Sequence, residues 1–338
     1  MLKYILSGCI TLYMTFPASA QISGPIKYKD EVYSAITVRK NLSYSSGDSA
    51  GKRNRSTLFD LYQPKDDGAG LRPLIIWMHG GGFKFGSKEA AGTRLWSTTF
   101  AHRGYVCAAI NYRMGSKDLR FHFNDLVKGC YDAVQDAQTA IAWFRANAVR
   151  LRIDTNRIVL AGNSAGGMIA LQAAYSSNAE MLHLIGNDDS GLVSHAIDAG
   201  HIAAVVNFWG GIFQLNWLQN ARVPIVSVHG KKDGVVPYDH KGYPLYGSFA
   251  IHRTADSLHI PNQLKTYDDY SHELQKHFNP FFVSRPTKKR WLEAGQFAAD
   301  FLYSALFKDK ESARRDERDA SIACGKPPAA EGGGSGGR

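Results

Sequence analysis

Gly162-Asn163-Ser164-Ala165-Gly166 stands between an apolar run, Ile158-Val159-Leu160-Ala161, and a small-residue helical stretch, Gly167-Met168-Ile169-Ala170-Leu171. A strand, a Gly-x-Ser-x-Gly turn and a helix in succession place the central serine on a sharp bend, a nucleophile elbow. The turn is too tight for flanking side chains, so glycines sit on either side. It holds the serine in a strained conformation with its hydroxyl exposed. Alone, the pentapeptide also fits a plain Gly/Ser-rich turn. Its neighbours along the chain decide between the two.

A reactive serine needs a base, an acid to orient the base, and donors for the oxyanion. His79-Gly80-Gly81-Gly82-Phe83 follows the apolar run Leu74–Met78 directly. Its glycines let backbone N–H groups approach a ligand with no Cβ in the way. Gly81 and Gly82 are the expected donors, with Ala165 after the serine as a third. A phosphate cradle would want Gly-Lys-Ser/Thr next, and Gly86-Ser87-Lys88 does not match. Asp233, in His229-Gly230-Lys231-Lys232-Asp233-Gly234, is the expected acid, just past a strand end. A turn aspartate before glycine is common in its own right. Asp239 is the nearest competitor, whereas Asp268 and Asp269 fall on the wrong side of the next strand. Among 12 histidines, His272 is the expected base, in a loop after a short strand. His277 and His259 are the substitutes. The order Ser164, Asp233, His272 matches one of the three known orders for such a triad.

Apolar runs alternate with helical patterns through the rest of the chain. Val38–Ser45 and Thr57–Tyr62 read as an antiparallel pair. Leu74–Met78, Tyr105–Ile110, Ala203–Phe208, Pro224–Val228 and Gln263–Tyr267 read as further strands. Helices are expected through Trp96 and Phe100, over Tyr131–Asn147, where Val134, Ala137, Ile141 and Phe144 keep helical spacing, and over Trp291–Leu306. This alternation predicts an α/β fold: a mostly parallel sheet with helices on both faces. Two stretches, 176–200 and 235–260, look unnecessary to the sheet and are expected as cap or rim. Phe83, Trp209 and Tyr238 adjoin the site segments and are candidates to contact substrate, with plain core packing the other reading, above all for Phe83 and Trp209.

On these residues the chain resembles the α/β-hydrolase superfamily, nearest its carboxylesterase and hormone-sensitive-lipase-like esterases. The matching pieces are His79–Phe83, Asn111-Tyr112-Arg113, Asp154-Thr155-Asn156-Arg157-Ile158 and Gly162–Gly167. The likeness runs from about residue 60 to 306. Asn163 departs from the more usual acidic residue before the serine. The segment around Asp233 looks like the dienelactone-hydrolase-like and feruloyl-esterase groups. The resemblance implies a serine esterase acting through Ser164, Asp233 and His272 without metal or organic cofactor. Its substrate would be a small-molecule or polymer-borne ester. A peptidase of this fold usually carries an added propeller domain, and non-catalytic relatives typically lose the serine or the histidine.

The remaining composition narrows the setting. A chain of 338 residues suits one large α/β domain or two small ones. Residues 1–20 read as a secretory signal: Lys3, an apolar run, then Ala18-Ser19-Ala20. The run is shorter than the roughly 20 residues that span a bilayer. A secreted or periplasmic domain over 21–307 is expected, without stable membrane insertion. Lipoprotein anchoring through Cys9 is the weaker alternative. The net charge of +10 is scattered with no basic block among aromatics, which argues against nucleic acid as a partner. Export would permit one disulfide among Cys107, Cys130 and Cys324. The tail, 308–338, is charged and then Pro/Ala/Gly/Ser-rich, a composition expected to be disordered.

Overall fold

The computed structural model describes residues 24–45, 54–65, 68, 70–115, 122–186, 201–240, 242 and 245–308. The expected signal segment, Cys9, Cys324 and the tail from 309 lie outside the described residues.

Eight strands form one sheet: β1 (Ile36–Ser43), β2 (Leu58–Pro64), β3 (Arg72–Met78), β4 (Val106–Ile110), β5 (Ile153–Asn163), β6 (Ala204–Phe208), β7 (Ile225–Gly230) and β8 (Asn262–Tyr267). Their order across the sheet is β1-β2-β4-β3-β5-β6-β7-β8. β1 pairs antiparallel with β2, and β2 antiparallel with β4. Every later pair is parallel. The central strands β3, β4, β6 and β7 are buried along their whole length. That explains their unbroken apolar runs: a parallel strand covered on both faces has no solvent side to alternate with.

Parallel pairs need crossovers, and helices supply them. α1 (Ala91–His102) joins β3 to β4, and α2 (Phe123–Ala146) with the short α3 (Ala148–Leu151) joins β4 to β5. α4 (Ala165–Tyr175) and α5 (Asn178–Ile185) follow β5, α6 (Ser248–Ser257) precedes β8, and α7 (Arg285–Tyr303) closes the domain. Alternate residues of β3 face two separate cores. Leu74, Ile76 and Met78 pack with buried residues of α2, α4 and α6, while Ile75 and Trp77 pack with those of α1 and α7. The second core is aromatic: Trp77, Trp96, Trp209 and Trp291 contact one another or Phe208.

Two stretches expected as cap or rim carry helices of their own. The stretch 235–260 is not wholly rim, because its second half is α6, the crossover the parallel β7–β8 pair requires. Of 176–200, the first part forms α5, begun by a Ser177–Glu180 capping box, and residues 187–200 lie outside the described set. The cysteines also sort themselves. Cys107 belongs to one core and Cys130 to the other, so the sheet separates them and no bond joins the two. Burial pushes the Cys130 thiol up to about 12 and the Cys107 thiol well above its usual range.

Candidate active site

The carboxyl ends of β3, β5 and β7 converge on Ser164, the edge where open α/β sheets place their ligands. Ser164 ends β5 and opens α4 with φ 53° and ψ −120°. Such a left-handed conformation at a non-glycine residue costs about 1–3 kcal/mol. The surroundings hold it there. A Cβ on Gly162 would stand 2.3 Å from the Gly166 carbonyl carbon, and one on Gly166 only 2.0 Å from the Met78 oxygen. The Ser164 N–H donates to the Phe208 carbonyl at 2.8 Å, tying the bend to β6. The two glycines are therefore required by the approach of α4 to β3 and of the turn to itself.

The His79–Gly82 loop lies against this bend. The site for a Gly80 Cβ is 3.3 Å from the Ser164 Cβ. Gly81 and Gly82 both adopt positive φ, 123° and 60°. Among the described residues, no acceptor takes the N–H of Gly81, Gly82 or Ala165. Three backbone N–H groups, two on the glycine loop and one at the start of α4, are thus without a partner among the described residues. His79 shapes the loop from below: its Nδ1–H donates to the Gly80 carbonyl at 2.7 Å, and its ring stacks on Tyr112 at 4.3 Å. Burial lowers its pKa to about 4, so it is neutral near pH 7. Lys88 anchors the far end of the loop through a buried ion pair with Asp60 at 2.8 Å.

His272 and Asp233 complete the cluster. The Ser164 hydroxyl lies 2.9 Å from His272 Nε2, and His272 Nδ1 lies 2.7 Å from Asp233 Oδ2. All three residues are buried. Asp233 Oδ1 accepts from the N–H groups of Val235 (2.8 Å) and Val236 (3.0 Å). Desolvation opposes the Asp233 charge, but hydrogen bonds from His229 and His272 outweigh it and hold the carboxyl well below the usual range. The His272 loop is itself pinned. Glu273 and Leu274 both have positive φ, and α7 clamps them through Trp291 Nε1 to the Glu273 carbonyl (2.8 Å) and Arg290 Nε to the Leu274 carbonyl (2.7 Å).

The competing residues lie elsewhere. Asp268 and Asp269 sit exposed after β8, paired with Lys231 and Lys232. The Asp239 carbonyl accepts from Gly247 in the approach to α6. His259 ends α6, and His277 stands exposed beyond the 3-10 turn that carries His272.

The expected substrate contacts fare differently. Trp209 is fully buried among Trp96, Phe208 and Trp291, so it belongs to the core under the sheet rather than to a crevice wall. Phe83 is 1% exposed, with its ring packed against Gly129 of α2, and it fastens the glycine loop instead of facing outward. Both follow from adjacency in sequence being a poor guide to direction where φ is positive, as it is at Phe83 (62°) and Trp209 (42°). Tyr238 is half-buried, its hydroxyl bonded to Thr266 at 2.7 Å and its ring edge-on to His229. The aromatic beside the site is one the sequence reading did not single out. Phe278 meets the His272 ring edge-on at 4.9 Å. It lines an open groove of about 670 Å³ with Tyr270, Phe282 and Arg290, and Phe281 nearby is 95% exposed. The repeated phenylalanines of Phe278-Asn279-Pro280-Phe281-Phe282 were the available signal. His229 is the second omission. It is wholly buried, with Nε2 3.2 Å from Asp233 Oδ2.

Known proteins are similar to parts of this chain. The BD-FAE family model matches residues 59–221, which carry the glycine loop and the serine bend. Over 121 residues the chain is 34% identical to esterase LipC of Mycobacterium tuberculosis, covering 36% of this chain and 27% of that protein. Over 117 residues it is 32% identical to arylacetamide deacetylase of Bos taurus, covering 34% and 27%. The chain thus spans well under half the length of the curated relatives it matches. Among solved structures, esterase 2 of Thermogutta terrifontis phosphorylated by paraoxon superposes with a TM-score of 0.55 at 23% identity, covering 80% of this chain and 95% of that one. That identity speaks to fold. Sheet order, parallel crossovers and the strand–serine–helix bend agree with it: the chain has the α/β-hydrolase fold and is similar over part of its length to proteins named as esterases.

Proposed function

We propose that this protein is an exported serine hydrolase that cleaves carboxylic esters through an acyl-enzyme. The observation that carries the reading is the continuous line from the Ser164 hydroxyl to His272 at 2.9 Å and on to Asp233 at 2.7 Å. In this reading His272 Nε2 takes the hydroxyl proton as Ser164 attacks the ester carbonyl. Asp233 accepts a hydrogen bond from His272 Nδ1–H, which keeps the proton on that nitrogen and leaves Nε2 unprotonated and ready. The open N–H groups of Gly81, Gly82 and Ala165 receive the oxyanion, each typically worth about 3–4 kcal/mol of barrier. His272 then returns its proton to the leaving alcohol, and a water activated by the same nitrogen releases the acid. The relatives named esterase and carboxylic ester hydrolase support ester cleavage as the reaction class. Export rests on the composition of residues 1–20.

The groove beside His272 supports a substrate with an apolar or aromatic portion. Phe278 and Phe282 offer ring faces without a hydroxyl or indole N–H to engage polar groups. Turnover of p-nitrophenyl acyl esters, set against peptide anilides, tests the reading. Ester cleavage with anilides untouched is expected, and anilide cleavage without ester turnover would contradict it. A series of acyl chains and feruloyl esters then ranks acyl groups, with the bulkier ones expected to be accepted.

A further inference from the structure

His229 is the penultimate residue of β7, four residues before Asp233, and none of its surface reaches solvent. The mechanism above does not use it. A buried imidazole gains from a partner at each nitrogen, and here the neighbours of Nε2 settle its role. Nε2 faces two oxygens, the Val236 carbonyl and Asp233 Oδ2, each at 3.2 Å. It must therefore carry a proton. Nδ1 then accepts, and the Ser248 hydroxyl at 2.7 Å supplies the donor. The Ser248 oxygen in turn lies 3.3 Å from Asn207 Nδ2, whose other bond goes to Ser227 Oγ at 3.1 Å. Asn207 is fixed through its oxygen, which accepts the Gly210 N–H at 3.0 Å, and Gly167 and Gly210 leave room for that oxygen by lacking a Cβ. Asn207, Ser227, Ser248 and His229 are all fully buried.

We propose that His229 is a positioning residue: a neutral N–H donor that shares Asp233 Oδ2 with His272 and sets how strongly that oxygen pulls on the His272 proton. The two oxygens at Nε2 place a proton there, and the Ser248 hydroxyl, backed by Asn207, offers Nδ1 its donor. It thereby links β6 and α6 to the acid that orients the base. Asp233 Oδ1 is held separately by Val235 and Val236, so the carboxylate stays in place when the His229 donor is removed. Negative charge on Oδ2 then falls on His272 alone. The charged imidazolium gains from this, and the pH at which the site becomes active moves upward.

The groups bearing on this pair are few. Asp233 lies between the two histidines, Glu273 stands beside His272, His252 approaches His229 from α6, and the Tyr238 ring meets it edge-on. The role rests on the proposed esterase reading, so its test has an arm that needs no turnover. His229→Phe, His229→Gln and Ser248→Ala are compared with wild type for kcat, KM and the acid limb of kcat/KM on a p-nitrophenyl ester. The low-field proton NMR resonance of His272 Nδ1–H is followed against pH alongside. His229→Phe is expected to lower kcat about tenfold with KM unchanged and to move the acid limb and the NMR transition up by about half a pH unit. His229→Gln, which keeps an N–H, restores most of both, and Ser248→Ala shows a smaller shift in the same direction. If His229→Phe lowers only thermal stability, with kcat and both pH transitions at wild-type values, the role is overturned. Should that variant fail to fold, unshifted transitions in Ser248→Ala overturn it equally. A wild type that turns over no ester sinks the esterase reading, and the NMR transitions still decide this one.

Discussion

At the β3–β5 end of the site, backbone does the positioning. Ser164, Gly81 and Gly82 take positive φ, and Gly162 and Gly166 sit where a methyl group would strike a carbonyl within about 2–2.3 Å. At the β7–β8 end, side chains do it. Asp233 is oriented by two histidines and two amides, and its partner His272 rides on a loop clamped by Trp291 and Arg290 from a distant helix. A backbone device tolerates no substitution, because a clash between main chains has nowhere to relax. A side-chain network loses function in steps as its members are removed.

The contrast predicts effects of graded size. Ser164→Ala, at the backbone end, should lower kcat/KM by about 10⁴-fold or more, measured on p-nitrophenyl esters. Gly166→Ala should cost more than about 3 kcal/mol, seen in chemical unfolding or as loss of soluble protein, because the Met78 oxygen is main chain and cannot step aside. A stable Gly166→Ala enzyme would break the comparison. Asp233→Asn should keep the fold and lower kcat by about 10³- to 10⁴-fold. Its effect on acid stability has a definite sign. The fold lowers the Asp233 pKa below 3.8, so the ionised carboxylate adds stability that is complete above that value and is lost as pH falls through the folded pKa. Unfolding midpoints of wild type and Asp233→Asn should therefore converge below pH 3.8.

His79 gives a second pH signature, from the backbone end. Its folded pKa of about 4 lies below the ordinary 6.5, so the unfolded chain binds more protons in between. Stability should fall as pH drops from 6.5 toward 4, by at most about 3 kcal/mol from this residue. Repeating the denaturation series with His79→Phe should flatten that part of the curve. The smallest effect is expected from Phe278→Ala: a few-fold rise in KM for aromatic or long-chain esters, with acetate esters little changed. An equal rise for both would move the acyl group out of the groove.

The same contrast explains what could be read from the chain. Devices of backbone geometry are written locally, as glycines around Ser164 and after His79, and these were legible together with the strand–helix alternation that builds the sheet. Asp233 and His272 could be chosen by strand-end position, and the structure brings both to Ser164. The partners that hold them come from afar: His229 was visible as a residue but not as a neighbour of the acid, and Trp291 and Arg290 reach the His272 loop across the fold. Phe83 and Trp209 stand next to the site in sequence, at positive φ, and both side chains are buried in the core. α6 was hidden because its buried face, Ser248, Ala250, Ile251, His252 and Ala255, carries a single large aliphatic side chain.

Labelling the protein with a fluorophosphonate at neutral pH and mapping the adduct by peptide mass spectrometry tests the central claim most directly. A single adduct on Ser164, absent from Ser164→Ala and strongly slowed in His272→Ala, is the expected result. An adduct on another residue, or equally fast labelling of Ser164 without His272, would contradict it.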